Sequence, residues 1–140
     1  MNRNMPICLT ERDAARLAST LRHVSQDRSR AAAGAETLET MLDSAQLVPA
    51  DAVLPDVVTM NSRVLVQEHA VGTCYTLTLV YPAEADPERN RISVVSPVGL
   101  ALLGARVGDR VTVQLPGRAS RELLIRGLEF QPEAAGRFDL

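Results

Sequence analysis

Cys8, Cys74, His23 and His69 are the residues of this 140-residue chain best suited to ligate a soft metal. A structural zinc site gathers about four such ligands at short spacings. These four stand alone, with no CxxC pair among them. The pattern argues against a metal-centred enzyme, and the two cysteines read as reduced thiols that pack as small apolar groups. Nucleotide chemistry is equally unsupported, since neither a P-loop nor a GxGxxG follows any strand-like run. The expectation is a protein with no cofactor, no metal and no catalytic residue.

Two other groups of side chains could carry function. Asp27 stands with Arg28 and Arg30 in a polar segment. A loop carboxylate among arginines is most often a local ion-pair or hydrogen-bond partner, and the arginines compete with any cation for it. The second group is Val95-Ser96-Pro97. Ser96 can cap a helix, Pro97 suits a first helical position, and Val95 can finish a strand. Gly104, Gly108 and Asp109 read as a helix stop and a tight turn.

The elements that position these groups follow from pattern. Thr10 before Glu11, Arg12 and Asp13 reads as an N-cap with acidic groups in the first turn. Ala14, Leu17, Ala18, Leu21 and Val24 then form one apolar stripe at helical spacing, and Leu38, Met41, Leu42 and Ala45 form another. Between them residues 25–34 are polar, then alanine-rich, closing on Gly34; the expectation is a short antiparallel helical hairpin. Its first arm and tip are basic (Arg12, Arg16, Arg22, Arg28, Arg30) and its second is acidic (Glu36, Glu39, Asp43). The arms either pair across the hairpin or present solvated faces.

Pro49 and Pro55 end this texture. Strand candidates follow at 62–67, 75–81, 92–95, 110–115 and 122–130, with one short helix after Pro97 that Gly104 ends. The fold class is α+β, with a helical arm at 1–49 and a small antiparallel sheet carrying one helix at 50–140.

Composition limits the partners. Net charge is −2 and all 15 basic residues are arginine. A general nucleic-acid coat would be strongly basic, and two Phe, two Tyr and no Trp leave few platforms for stacking bases. No apolar run approaches the roughly 20 residues of a membrane span, and 1–9 lacks the apolar core of a secretory signal, so a cytoplasmic protein is expected.

Several blocks of this chain resemble the Rnk branch of the Gre transcript-cleavage and elongation factors. They are Asp56-Val57-Val58-Thr59-Met60-Asn61-Ser62-Arg63-Val64, Val80-Tyr81-Pro82-Ala83, Ser96 to Gly104 with Val107-Gly108-Asp109, and Glu129-Phe130-Gln131-Pro132-Glu133-Ala134-Ala135-Gly136. Together they cover most of residues 56–136, whereas the hairpin matches in pattern only. The resemblance implies a coiled-coil arm followed by a C-terminal domain of FKBP-like fold. It implies RNA polymerase as partner, engaged at the rim of its secondary channel. In Gre factors the contact uses an acidic residue immediately before a Ser-Pro pair; here Ser96 and Pro97 match and Val95 takes the acidic position.

The same resemblance bears on cleavage. Gre arms carry two tip carboxylates three residues apart that help hold a second magnesium ion, because Mg²⁺ prefers hard oxygen ligands and a two-metal site stabilises both attacking and leaving oxygens. Asp27 is followed three residues later by Arg30, so the pair is missing. The first arm, at 1.5 Å per residue, spans only roughly 22 Å. Binding without cleavage, and competition with Gre factors, is therefore expected. Gre-like cleavage is the alternative. Peptidyl-prolyl isomerisation is disfavoured because Tyr75, Tyr81, Phe130 and Phe138 are the only aromatics available to wall a proline pocket. Any effect on nucleoside diphosphate kinase, which the Rnk branch is named for regulating, is expected to be indirect, through transcription.

Overall fold

The computed structural model describes residues 7–24, 31–115, 117, 119–137 and 140. The architecture is mixed α+β. In chain order it contains β1 (Cys8–Thr10), α1 (Glu11–Val24), α2 (Ala31–Ser44), β2 (Gln46–Val48), β3 (Arg63–Glu68) and β4 (Cys74–Val80). There follow β5 (Arg91–Ser93), α3 (Pro97–Leu102), β6 (Arg110–Val113) and β7 (Arg121–Phe130).

Helix α1 starts where its cap dictates: Thr10 Oγ1 accepts a hydrogen bond from the Asp13 N–H at 3.1 Å. The apolar stripe buries Leu17 completely, and the stripe of α2 does the same for Leu38. Helix α2 begins at Ala31, so the alanine run expected to be connector is already helical. Alanine has the highest helix propensity, and Gly34 lies inside the helix because its bare backbone meets that of Val95. The two helices pack on each other. Asp27, Arg28 and Arg30 lie outside the described residues.

A short parallel pair, absent from the pattern reading, joins the ends of this helical segment. Cys8, Leu9 and Thr10 in β1 face Gln46, Leu47 and Val48 in β2, and the Gln46 N–H donates to the Ile7 carbonyl at 2.8 Å. The chain therefore enters α1 and leaves α2 at one point.

The main sheet has the order β5-β4-β3-β7-β6. The pairs β3–β4, β3–β7 and β6–β7 are antiparallel as expected. β5 departs from the expectation and runs parallel to β4, with Thr78 opposite Arg91. Pro82 and Pro87 each open a 3-10 turn between them, which prevents the chain from folding straight back as a hairpin. Register shifts beside Arg63 and Leu65 in β3 curve the sheet.

One apolar cluster joins Val64, Val66, Leu79, Leu123 and Ile125 of the sheet to Leu102, Leu103, Val58 and Met60, and also to Leu9, Leu17 and Leu38. Each such side chain contributes roughly 1.5–3 kcal/mol by leaving water, so the helical segment and the sheet share their main stabilising contact. Among the described residues no helix is long and apolar enough to cross a membrane.

Candidate functional site

The turn between β5 and α3 holds Val95, Ser96 and Pro97. Ser96 is the N-cap of α3: its Oγ accepts from the Gly99 N–H at 3.1 Å and donates to the Ser93 carbonyl at 2.6 Å. The Val95 N–H donates to Ser93 Oγ at 3.3 Å. Pro97 occupies the first turn of α3, where its missing N–H has no partner to lose. With both its donor and acceptor functions engaged, the Ser96 hydroxyl is poorly placed to act as a nucleophile. The turn offers an exposed proline ring beside half-buried Val95 and Ser96. Val95 was expected to finish a strand; β5 ends at Ser93 instead, and the Ser93 side chain turns the backbone.

A buried polar joint connects α1 to the chain before β3. The Met60 N–H donates to Asp13 Oδ2 at 3.1 Å. Asp13 is only 2% exposed, and this burial raises its pKa to about 6, with Glu133 nearby adding repulsion and the Met60 bond and Arg16 opposing the rise. Thr59 Oγ1 donates to Glu133 Oε1 at 2.7 Å, and the Thr59 N–H donates to Ser62 Oγ at 3.0 Å. Arg16 lies over the Tyr81 ring, 4.6 Å from its centre, a cation–π contact that ties α1 to the end of β4. Burial pushes the Tyr81 hydroxyl pKa up.

Asp13 stands at the helix start as the sequence pattern indicates, and its burial is an additional finding. The signal was present: Asp13 stands four residues before Leu17 and eight before Leu21, on the apolar face of α1. Cys74, expected to pack as an apolar group, is exposed at the start of β4, while Cys8 is half-buried. Cys74 pairs with Gln67 on the side of the sheet away from the core. Among the described residues no three His, Cys, Asp or Glu side chains gather where they could hold a metal ion.

Residues 53–129 match the family model of the C-terminal domain of the transcription elongation factors GreA/GreB. The chain belongs to the GreA/GreB family. It is 45% identical over 104 residues to the regulator of nucleoside diphosphate kinase of Escherichia coli K12, covering 74% of this chain and 76% of that one. It is also 45% identical over 82 residues to transcription elongation factor GreA of Geobacillus kaustophilus, covering 59% of this chain but only 52% of that factor. Among solved structures, the GreA/GreB elongation factor from Nitrosomonas europaea superposes with a TM-score of 0.73 at 35% identity, covering 89% of this chain and 99% of that one. These relatives are named as a regulator or as elongation factors, and the Val95–Pro97 turn falls within the segment matched by the family model.

Proposed function

We propose that this chain is an RNA-polymerase-binding transcription regulator of the bacterial cytoplasm. It docks at the rim of the secondary channel and competes there with Gre factors without stimulating transcript cleavage. Residues 50–140 act as an FKBP-like docking domain, with the exposed Pro97 ring, Ser96 and Val95 on the contact surface, and residues 1–49 as a short antiparallel coiled-coil arm with Asp27, Arg28 and Arg30 at its tip. Any influence on nucleoside diphosphate kinase is indirect, through transcription.

Family membership supports the polymerase as partner. The observation that carries the non-cleaving half is Arg30, which stands three residues after Asp27 where a second carboxylate is needed to hold magnesium. The length of α1 adds support: its 14 residues rise roughly 21 Å. The test is a stalled, backtracked transcription complex incubated with the protein, with and without a Gre factor. The protein alone leaves the transcript at full length, and rising amounts suppress the shortening that the Gre factor causes. Shortened transcripts that depend on Asp27 would overturn the reading.

A further inference from the structure

We propose that the outer face of the sheet carries a binding site for a phosphate group, formed by Arg63, Arg89 and Arg91 with Thr76, Thr78 and Asn90. Arg63 in β3 stands opposite Thr78 in β4, and Thr78 stands opposite Arg91 in β5. Paired residues share a face, so these three form one row across three strands, arginine–threonine–arginine. At the usual strand spacing, the two arginine backbones stand roughly 10 Å apart, a gap that two long guanidinium side chains can close from either side of a single anion. Arg89 and Asn90 approach from the turn before β5, where Asn90 takes a left-handed backbone (φ 57°). Together the six residues line a cavity of about 250 Å³ that has no carboxylate in its wall.

The charges in this cavity are incompletely matched. Arg91 reaches Glu84 at 3.3 Å and Arg89 reaches Asp86 at 3.6 Å, both as solvent-exposed pairs, which hold weakly. Among the described residues Arg63 has no ion-pair or side-chain hydrogen-bond partner, and Arg91 Nε is buried with none. A buried donor without an acceptor, within a group of three like charges, is a standing electrostatic cost. A phosphate offsets the repulsion among the three guanidinium groups, whose forks match its oxygens. No aromatic side chain lines the cavity to stack a base, so recognition is directed at the phosphate itself. Inorganic diphosphate and the diphosphate end of a nucleotide share this chemistry.

The test is titration of the full chain with inorganic diphosphate, and separately with adenosine diphosphate, at constant ionic strength. Binding is followed through the backbone amide resonances. The expected result is saturable shifts at Arg63, Thr78, Asn90 and Arg91, with similar affinity for the two ligands. Arg63→Gln weakens binding by roughly tenfold, and Arg89→Gln, on an exposed turn, weakens it in the same direction. Arg110→Gln, on β6 at the opposite edge of the sheet, leaves it unchanged. Absence of saturation at millimolar ligand would overturn the proposal. So would equal weakening by Arg110→Gln, which would indicate diffuse charge attraction, or binding of the nucleotide without binding of diphosphate.

Discussion

Gly34 of α2 lies so close to Val95 that a Cβ added to the glycine would stand 2.0 Å from the Val95 carbonyl oxygen. This contact seats the second helix on the turn that leads into Ser96 and Pro97. The helical segment and the proposed docking surface thus meet at a close backbone approach, beside the apolar cluster against which Val95 packs.

Substituting Gly34→Ala tests this seating. Alanine favours an isolated helix over glycine by up to about 1 kcal/mol, yet here the new methyl group collides with backbone. A net loss of about 1–3 kcal/mol is expected, read by urea denaturation, together with amide shifts at Val95 and Ser96. A variant as stable as the parent, with those resonances unmoved, would show that the contact is loose.

Asp13 gives the fold a pH dependence with a defined sign. Its folded pKa of about 6 lies above the ordinary value of 3.8, so the folded state holds the proton more tightly than the unfolded state. The stability this provides is fully present below pH ~4 and is lost as pH rises through 6. Asp13→Asn keeps an oxygen for the Met60 N–H and removes the titration. Its stability relative to the parent should therefore rise between pH 4 and 7, by on the order of 2–3 kcal/mol. Denaturation curves with the same pH slope in both proteins would contradict this.

The tail is held by Gln131, which is 4% exposed. Its amide donates to the carbonyls of Leu54 and Val57 at 2.8 and 2.7 Å and accepts from the Ala134 N–H at 3.2 Å. Gln131→Ala takes this donor from the buried Val57 carbonyl, whereas the Leu54 carbonyl keeps its bond from the Val57 N–H, and should cost about 1–3 kcal/mol in thermal or chemical unfolding. A cost below about 0.5 kcal/mol, the level of ordinary surface substitutions, would mean that water replaces the side chain.

Ser96 and Pro97 separate stability from binding. Ser96→Ala removes the cap of α3 and should lower stability by about 1 kcal/mol. Pro97→Ala, at an exposed position, should change stability by less than about 0.5 kcal/mol while weakening polymerase binding. Unaltered binding by the Pro97 variant would remove that residue from the docking surface.

What could be read from the sequence follows a physical division. The cap at Thr10, the stripes that contain Leu17 and Leu38, and the helix opened by Ser96 and Pro97 are local, and periodicity or capping chemistry reveals them. The β1–β2 pair is three residues long on each side, too short to show alternation, and depends on the two helices bringing its strands together. The parallel direction of β5 depends on how two proline-led turns fold. In sequence Gly34 resembles the end of a connector because glycine usually breaks helices; the Val95 backbone that requires it lies 61 positions away in the chain. The row formed by Arg63, Thr78 and Arg91 is likewise created only by sheet register.

Occupancy of a site on the polymerase shared with Gre factors is accessible to a capture assay. Tagged protein is bound to RNA polymerase core, then challenged with a purified Gre factor in excess. The expected result is that the polymerase is retained without the challenger and released as Gre factor rises. Simultaneous, independent binding of both proteins to one polymerase would contradict it.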